Sequence, residues 1–122
     1  MFLLILVLAV SPLVASFNND KKIGERHIIP INSSEAQKAI NCTLTGIENT
    51  YHISQTNLKK VLKVEEQVVS GLLYWSTLYY EKDAKHICSK GLCFLSGKKL
   101  KFLQGNISYV NDASQCANIA YH

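Results

Sequence analysis

What this chain lacks narrows its function first. No paired carboxylates and no Cys/His constellation stand at usable spacings, so hydrolytic or covalent catalysis has no obvious carrier. No Cys-x-x-Cys or His-x-x-x-His pair occurs, and Cys88-Ser89-Lys90-Gly91-Leu92-Cys93 is too wide for the usual zinc knuckle, so no metal is expected. His27, His52, His86 and His122 are scattered and read as surface histidines. Charge of one sign is modest: 13 Lys and Arg against 9 Asp and Glu leave +4, too little to argue for nucleic acid. The densest cluster, Lys98, Lys99 and Lys101, reads as a solvated edge. No apolar run reaches the ~20 residues that cross a bilayer. With 122 residues there is room for one domain, and none for a second lobe framing a cleft. Repeats and low-complexity tracts are missing too.

What is present begins with an uncharged stretch, Met1 to Ser16. Phe2 to Val10 is unbroken apolar sequence, Ser11-Pro12 interrupts it, and Val14-Ala15-Ser16 offers small residues for cleavage. This reads as a secretory signal peptide over 1–16, leaving 17–122 as the mature, extracellular domain. That leader is far richer in hydrophobic residues than the 48% of the whole chain, so the mature core is thinner than the composition implies. Secretion makes Cys42, Cys88, Cys93 and Cys116 candidates for two disulfides, with three pairings open. Three sequons, at Asn32, Asn41 and Asn106, are glycosylation candidates.

From Phe17 to Ile31 the chain is polar and broken by Gly24 and Pro30, and is expected to form a mobile arm. A helix follows. Ser34 with Gln37 reads as a capping box, and Glu35 favours the positive end of the helix dipole. Ala36, Ala39, Ile40, Thr43, Leu44 and Ile47 make one stripe at helical spacing, with Asn41 opposite and Cys42 on the flank. The helix is expected to end near Asn49. The period then changes to two. Leu58 to Val69, with Leu62, Val64 and Val68 on one side, reads as a strand, and Leu72 to Glu81 as its partner across Ser70-Gly71. Lys85 to Phe94 and Leu100 to Val110, the last interrupted at Gly105, complete a four-strand meander with a turn at Ser96-Gly97. The fold class is α+β, an antiparallel sheet wrapped around one long helix.

Gln67-Val68-Val69-Ser70-Gly71 lies at the first hairpin turn, after one helix, with Gly24 upstream and a second hairpin tip downstream. In this the chain resembles the cystatin family, inhibitors of papain-like cysteine proteases of the cathepsin type. The resemblance covers the mature chain in element order; at residue level it is confined to Gly24 and Gln67 to Gly71. It implies a reversible, competitive inhibitor and not an enzyme, needing no cofactor. Ile23 and Gly24, Gln67, Val68, Val69, Ser70 and Gly71, and a second tip would enter the protease cleft. That tip is expected at Leu95, Ser96 and Gly97, similar to the Leu-Pro-Gly of stefins; Phe102-Leu103-Gln104-Gly105 is the other register. The Pro-Trp usual at this tip does not occur, and the only tryptophan, Trp75, reads as a sheet residue. The family's link between the last two strands implies Cys116 with Cys88 or Cys93, and Cys42 with the one remaining. Cys88–Cys93 with Cys42–Cys116 is the rival. Asn49, in the stretch Asn49-Thr50-Tyr51-His52, lies where some cystatins carry an Asn against asparaginyl endopeptidases. A monomer is expected, with a hairpin-exchanged dimer as the way to self-associate. The alternative reading is a secreted cystatin-fold binding or host-defence protein without protease inhibition, its +4 suiting an acidic or membrane-surface partner.

Overall fold

The computed structural model describes residues 23–118, so the expected signal peptide and the first part of the arm lie outside the described residues. The elements run β1 (Arg26–Ile29), α1 (Ser34–Tyr51), β2 (Leu58–Val69), β3 (Gly71–Lys82), β4 (Lys85–Ser96) and β5 (Lys99–Val110), with short 3₁₀ turns at Gln55–Asn57 and Ala113–Asn118. The strands form one antiparallel sheet in the order β1-β2-β3-β4-β5, and α1 packs across one face. This α+β architecture is the one expected of a cystatin-like fold. Among the described residues, no helix is long and apolar enough to cross a membrane.

The sheet has one strand more than the periodicity implies. Within the expected arm, Arg26–Ile29 pairs antiparallel with β2, Arg26 opposite Gln67 and Ile29 opposite Val64. A four-residue strand at a sheet edge buries little, and its exposed-to-half-buried alternation leaves no apolar signature to read.

Helix α1 starts one residue earlier than its apparent capping box. Ser33, in extended conformation, is the N-cap, its hydroxyl accepting from the Ala36 amide at 3.2 Å. Gln37 does not complete a box; its side-chain amide donates to the Ile31 carbonyl. The whole expected stripe, Ala36, Ala39, Ile40, Thr43, Leu44 and Ile47, is buried. The helix continues past Asn49 to Tyr51 and stops where His52 adopts a left-handed conformation, its amide donating to the Glu48 carbonyl.

Beneath the helix, Val64, Tyr74, Leu78, Tyr80 and Ile87 supply the sheet's contribution to the core, with Phe102 and Ile107 from β5 at its margin. Phe102 faces Gly46 so closely that a Cβ there would meet its ring at 2.3 Å. Two irregularities correct the simple alternation. The β2–β3 register shifts between Val61 and Lys63, so Leu62 does not share a face with Val64; it packs with Tyr79, Cys88 and Cys116 on the sheet's other side. Strand β5 runs unbroken through Gly105, and its irregularity comes earlier, where Leu103 is passed over between the Cys93–Phe102 and Leu92–Gln104 pairs.

Both faces are stapled. Cys42 of α1 is bonded to Cys93 of β4, and Cys88, on the opposite face of β4, to Cys116. Odd spacing within one strand sends Cys88 and Cys93 to different faces, which excludes a Cys88–Cys93 bond in this fold.

Candidate functional site

One end of the sheet gathers the segments singled out in the sequence. Ser70 alone separates β2 from β3, and the β4–β5 turn contains Gly97 and Lys98 between the paired Ser96 and Lys99. Residue pairing carries a single apolar row across four strands just below both tips: Val68 opposite Leu72, Leu72 opposite Leu95, Leu95 opposite Leu100. The second hairpin therefore turns at Gly97 and Lys98, directly after Leu95 and Ser96. The alternative, Phe102 to Gly105, lies within β5 with Phe102 under the helix.

Gly71 joins the two hairpins. Its φ of +123° is a conformation side chains avoid, and a Cβ there would stand 2.7 Å from the Phe94 ring and 2.8 Å from the Leu95 carbonyl oxygen. The first tip thus seats directly on the strand that carries the second. Val69 and Ser70 project into solvent.

The arm reaches the same end. Ile23 bridges Val68, and the Gly24 amide donates to the Val68 carbonyl at 2.9 Å. Gly24 has φ +85° with open space around it, which turns the chain from Ile23 back into β1. Ile23 is left 84% exposed, an apolar side chain held out from the bridge to Val68. Gln67 makes the third link. Its side-chain amide donates to the Gly24 carbonyl at 2.9 Å, while its Oε1 accepts from the Trp75 indole at 2.9 Å. The Arg26 guanidinium lies 3.7 Å from the centre of the Trp75 ring. Trp75 and Arg26 are the site residues missed in the sequence. The hairpin register was the available signal: with Ser70 at the turn, Gln67 faces Leu73, and Trp75 stands one diagonal step along the same face.

Other expected residues fall elsewhere. Asn49 is in the last turns of α1, not in a loop after it, so it is not displayed as an extended segment. Asn32 is exposed in the turn before α1, Asn41 is exposed on the helix, and Asn106 is half-buried in β5. An open groove of about 960 Å³ runs between α1 and the second hairpin, lined among others by Lys38, Tyr74, Leu95 and Phe102.

Shifted ionisations lie away from the tips. Burial, reinforced by the hydrogen-bonded Glu66 carboxylate, holds the Tyr74 phenol well above its ordinary range. Burial pushes Tyr80 up to about 12. Desolvation, with Lys63 nearby, lowers Lys90. The end that gathers the arm and tips instead offers exposed apolar side chains, backbone and lysines, which suits contact by shape more than chemistry.

No protein-family model matches the chain, and comparison with curated proteins finds no match.

Proposed function

We propose that this chain is a secreted, cystatin-like, reversible competitive inhibitor of papain-like cysteine proteases. The observation that carries the reading is the meeting of Ile23–Gly24, Val68–Gly71 and Leu95–Gly97 at one end of a stapled sheet. Such an end is a wedge, and a papain-like active site is a groove with its nucleophile at the floor. Val68 and Val69 are stiff at χ1, so docking costs them little rotamer freedom. Ile23 is displayed for the apolar pocket that selects substrate side chains.

Occlusion without cleavage follows from how Gly24 is held. Its amide and carbonyl are both engaged by the first hairpin, the first with Val68 and the second with Gln67. The two peptide bonds that flank Gly24, each tied by one of these contacts, lie across the inhibitor instead of extending over the nucleophile. No bond is made or broken, and release is simple dissociation. The chain acts as a monomer; hairpin exchange through Ser70 would bury Val68 and Val69 and give an inactive dimer.

The composition of the second tip favours one other reading. Ser96, Gly97, Lys98 and Lys99 are all exposed and none is aromatic, so this tip brings charge where an apolar anchor would add affinity. A binding or host-defence protein without protease inhibition would use these lysines on an acidic partner. Inhibition of papain and a panel of cathepsins, run beside binding to anionic vesicles, distinguishes the two. Competitive inhibition supports the first; vesicle binding with no inhibition supports the second.

A further inference from the structure

We infer that Trp75 is a positioning residue that sets the arm for docking by fixing the orientation of the Gln67 amide. A glutamine amide presents an acceptor on one side and a donor on the other, and a half-turn about its last bond exchanges them. Here the indole N–H of Trp75, 2.9 Å from Oε1, can only donate. It therefore selects the orientation in which the NH₂ group meets the Gly24 carbonyl, also at 2.9 Å. With the amide reversed, two oxygens would face one another at the arm and two N–H donors at the indole. The Arg26 guanidinium stacked at 3.7 Å on the indole ties β1, the strand into which the arm runs, to the same ring.

The chain of contacts is thus Arg26 on Trp75, Trp75 to Gln67, Gln67 to Gly24, and Gly24 to Val68. It spans β1, β2 and β3 and ends at the residue beside the exposed Ile23. Its consequence is preorganisation: an arm already held in its docked path loses less conformational freedom on binding. That consequence rests on the inhibitor reading; the latch does not.

The test is amide hydrogen exchange on the full chain, read at Gly24, beside papain inhibition. Two variants attack different ends of the latch. Trp75→Phe removes the indole donor, and Gln67→Glu keeps an acceptor for the indole while removing the donor to Gly24. The Leu78 amide, in the core strand, serves as the control for global folding. Loss of one hydrogen bond of ordinary net strength predicts about five-fold faster exchange at Gly24 in both variants, with Leu78 unchanged. The inhibition constant should weaken about five- to ten-fold, mostly through faster dissociation. Unchanged Gly24 exchange in Gln67→Glu, or in a folded Trp75→Phe, overturns the latch. Faster Gly24 exchange in a protein that inhibits no protease supports the latch and refutes the inhibitor reading instead.

Discussion

Removing one disulfide at a time separates two jobs that the pair performs. Cys42–Cys93 closes a span of 51 residues and ties α1 to the face of β4 beneath it; Cys88–Cys116 closes 28 residues and ties the other face of β4 to the C-terminal 3₁₀ turn. Loop-closure entropy in the unfolded chain puts the first at about 4 kcal/mol and the second at about 3.6 kcal/mol. Domains of this size are stable by only ~5–15 kcal/mol, so either paired Cys→Ala variant should fold with a reduced margin, and the four-fold variant should sit near its limit. Stability alone hardly distinguishes the two bonds. Position does. Cys93 stands two residues before Leu95 on β4, whereas Cys88 is seven residues away and on the opposite face. Loss of Cys42–Cys93 should therefore weaken papain inhibition as well as stability, and loss of Cys88–Cys116 only stability. Guanidinium unfolding followed by the emission of Trp75, the sole tryptophan, gives the first quantity, and a titration of papain the second. A cost below about 1 kcal/mol for Cys42→Ala/Cys93→Ala would rule out a stabilising helix-to-sheet staple, and a non-reducing peptide map linking Cys88 to Cys93 would rule out the pairing itself.

Three further outcomes are expected. Gly71→Ala combines a strained φ with contacts to Phe94 and Leu95 under 3.0 Å, so it should cost about 3 kcal/mol in chemical unfolding and weaken inhibition by moving both tips. Ser33→Ala removes the N-cap acceptor of α1 and should cost about 1 kcal/mol, while Ser34→Ala stays within about 0.5 kcal/mol; the reverse order would return the cap to Ser34. Tyr80 has its ionisation raised from 10.0 to about 12 by burial, so the fold favours its protonated form. That contribution is complete below pH 10 and is lost as pH rises towards about 12, and guanidinium midpoints across this range should fall less steeply in Tyr80→Phe.

Most of the architecture was legible because it rests on period and punctuation. Strand β2 runs from Leu58 to Val69 as its alternation implied, and Ser70-Gly71 and Ser96-Gly97 mark real turns. The buried stripe of α1 was readable residue by residue, since one helical face must meet the core. What escaped was set by pairing across the sheet. Strand β1 has no pattern of its own and exists because β2 offers it an edge. Leu62 shares the parity of Val64 in the sequence yet faces the other way, because a register shift is a property of two strands together. The cap sits one residue before the apparent box because Ser33 and Ser34 are chemically equivalent, and the backbone approaching from Pro30 decides between them. At the tips, Gly24, Gln67 and Gly71 were visible as types. The role of Trp75 emerged only when the hairpin register placed its indole against Gln67.

The proposed wedge of three segments stands or falls on its fit to a papain-like cleft. The direct measurement is the inhibition constant of the folded, disulfide-bonded chain against papain and several cathepsin-type proteases, with substrate varied and recovery followed on dilution. Reversible, competitive inhibition at micromolar concentration or tighter is expected against at least one of them, weakened when the arm is deleted through Gly24. Full activity of every protease in tens of micromolar of the folded chain would contradict it.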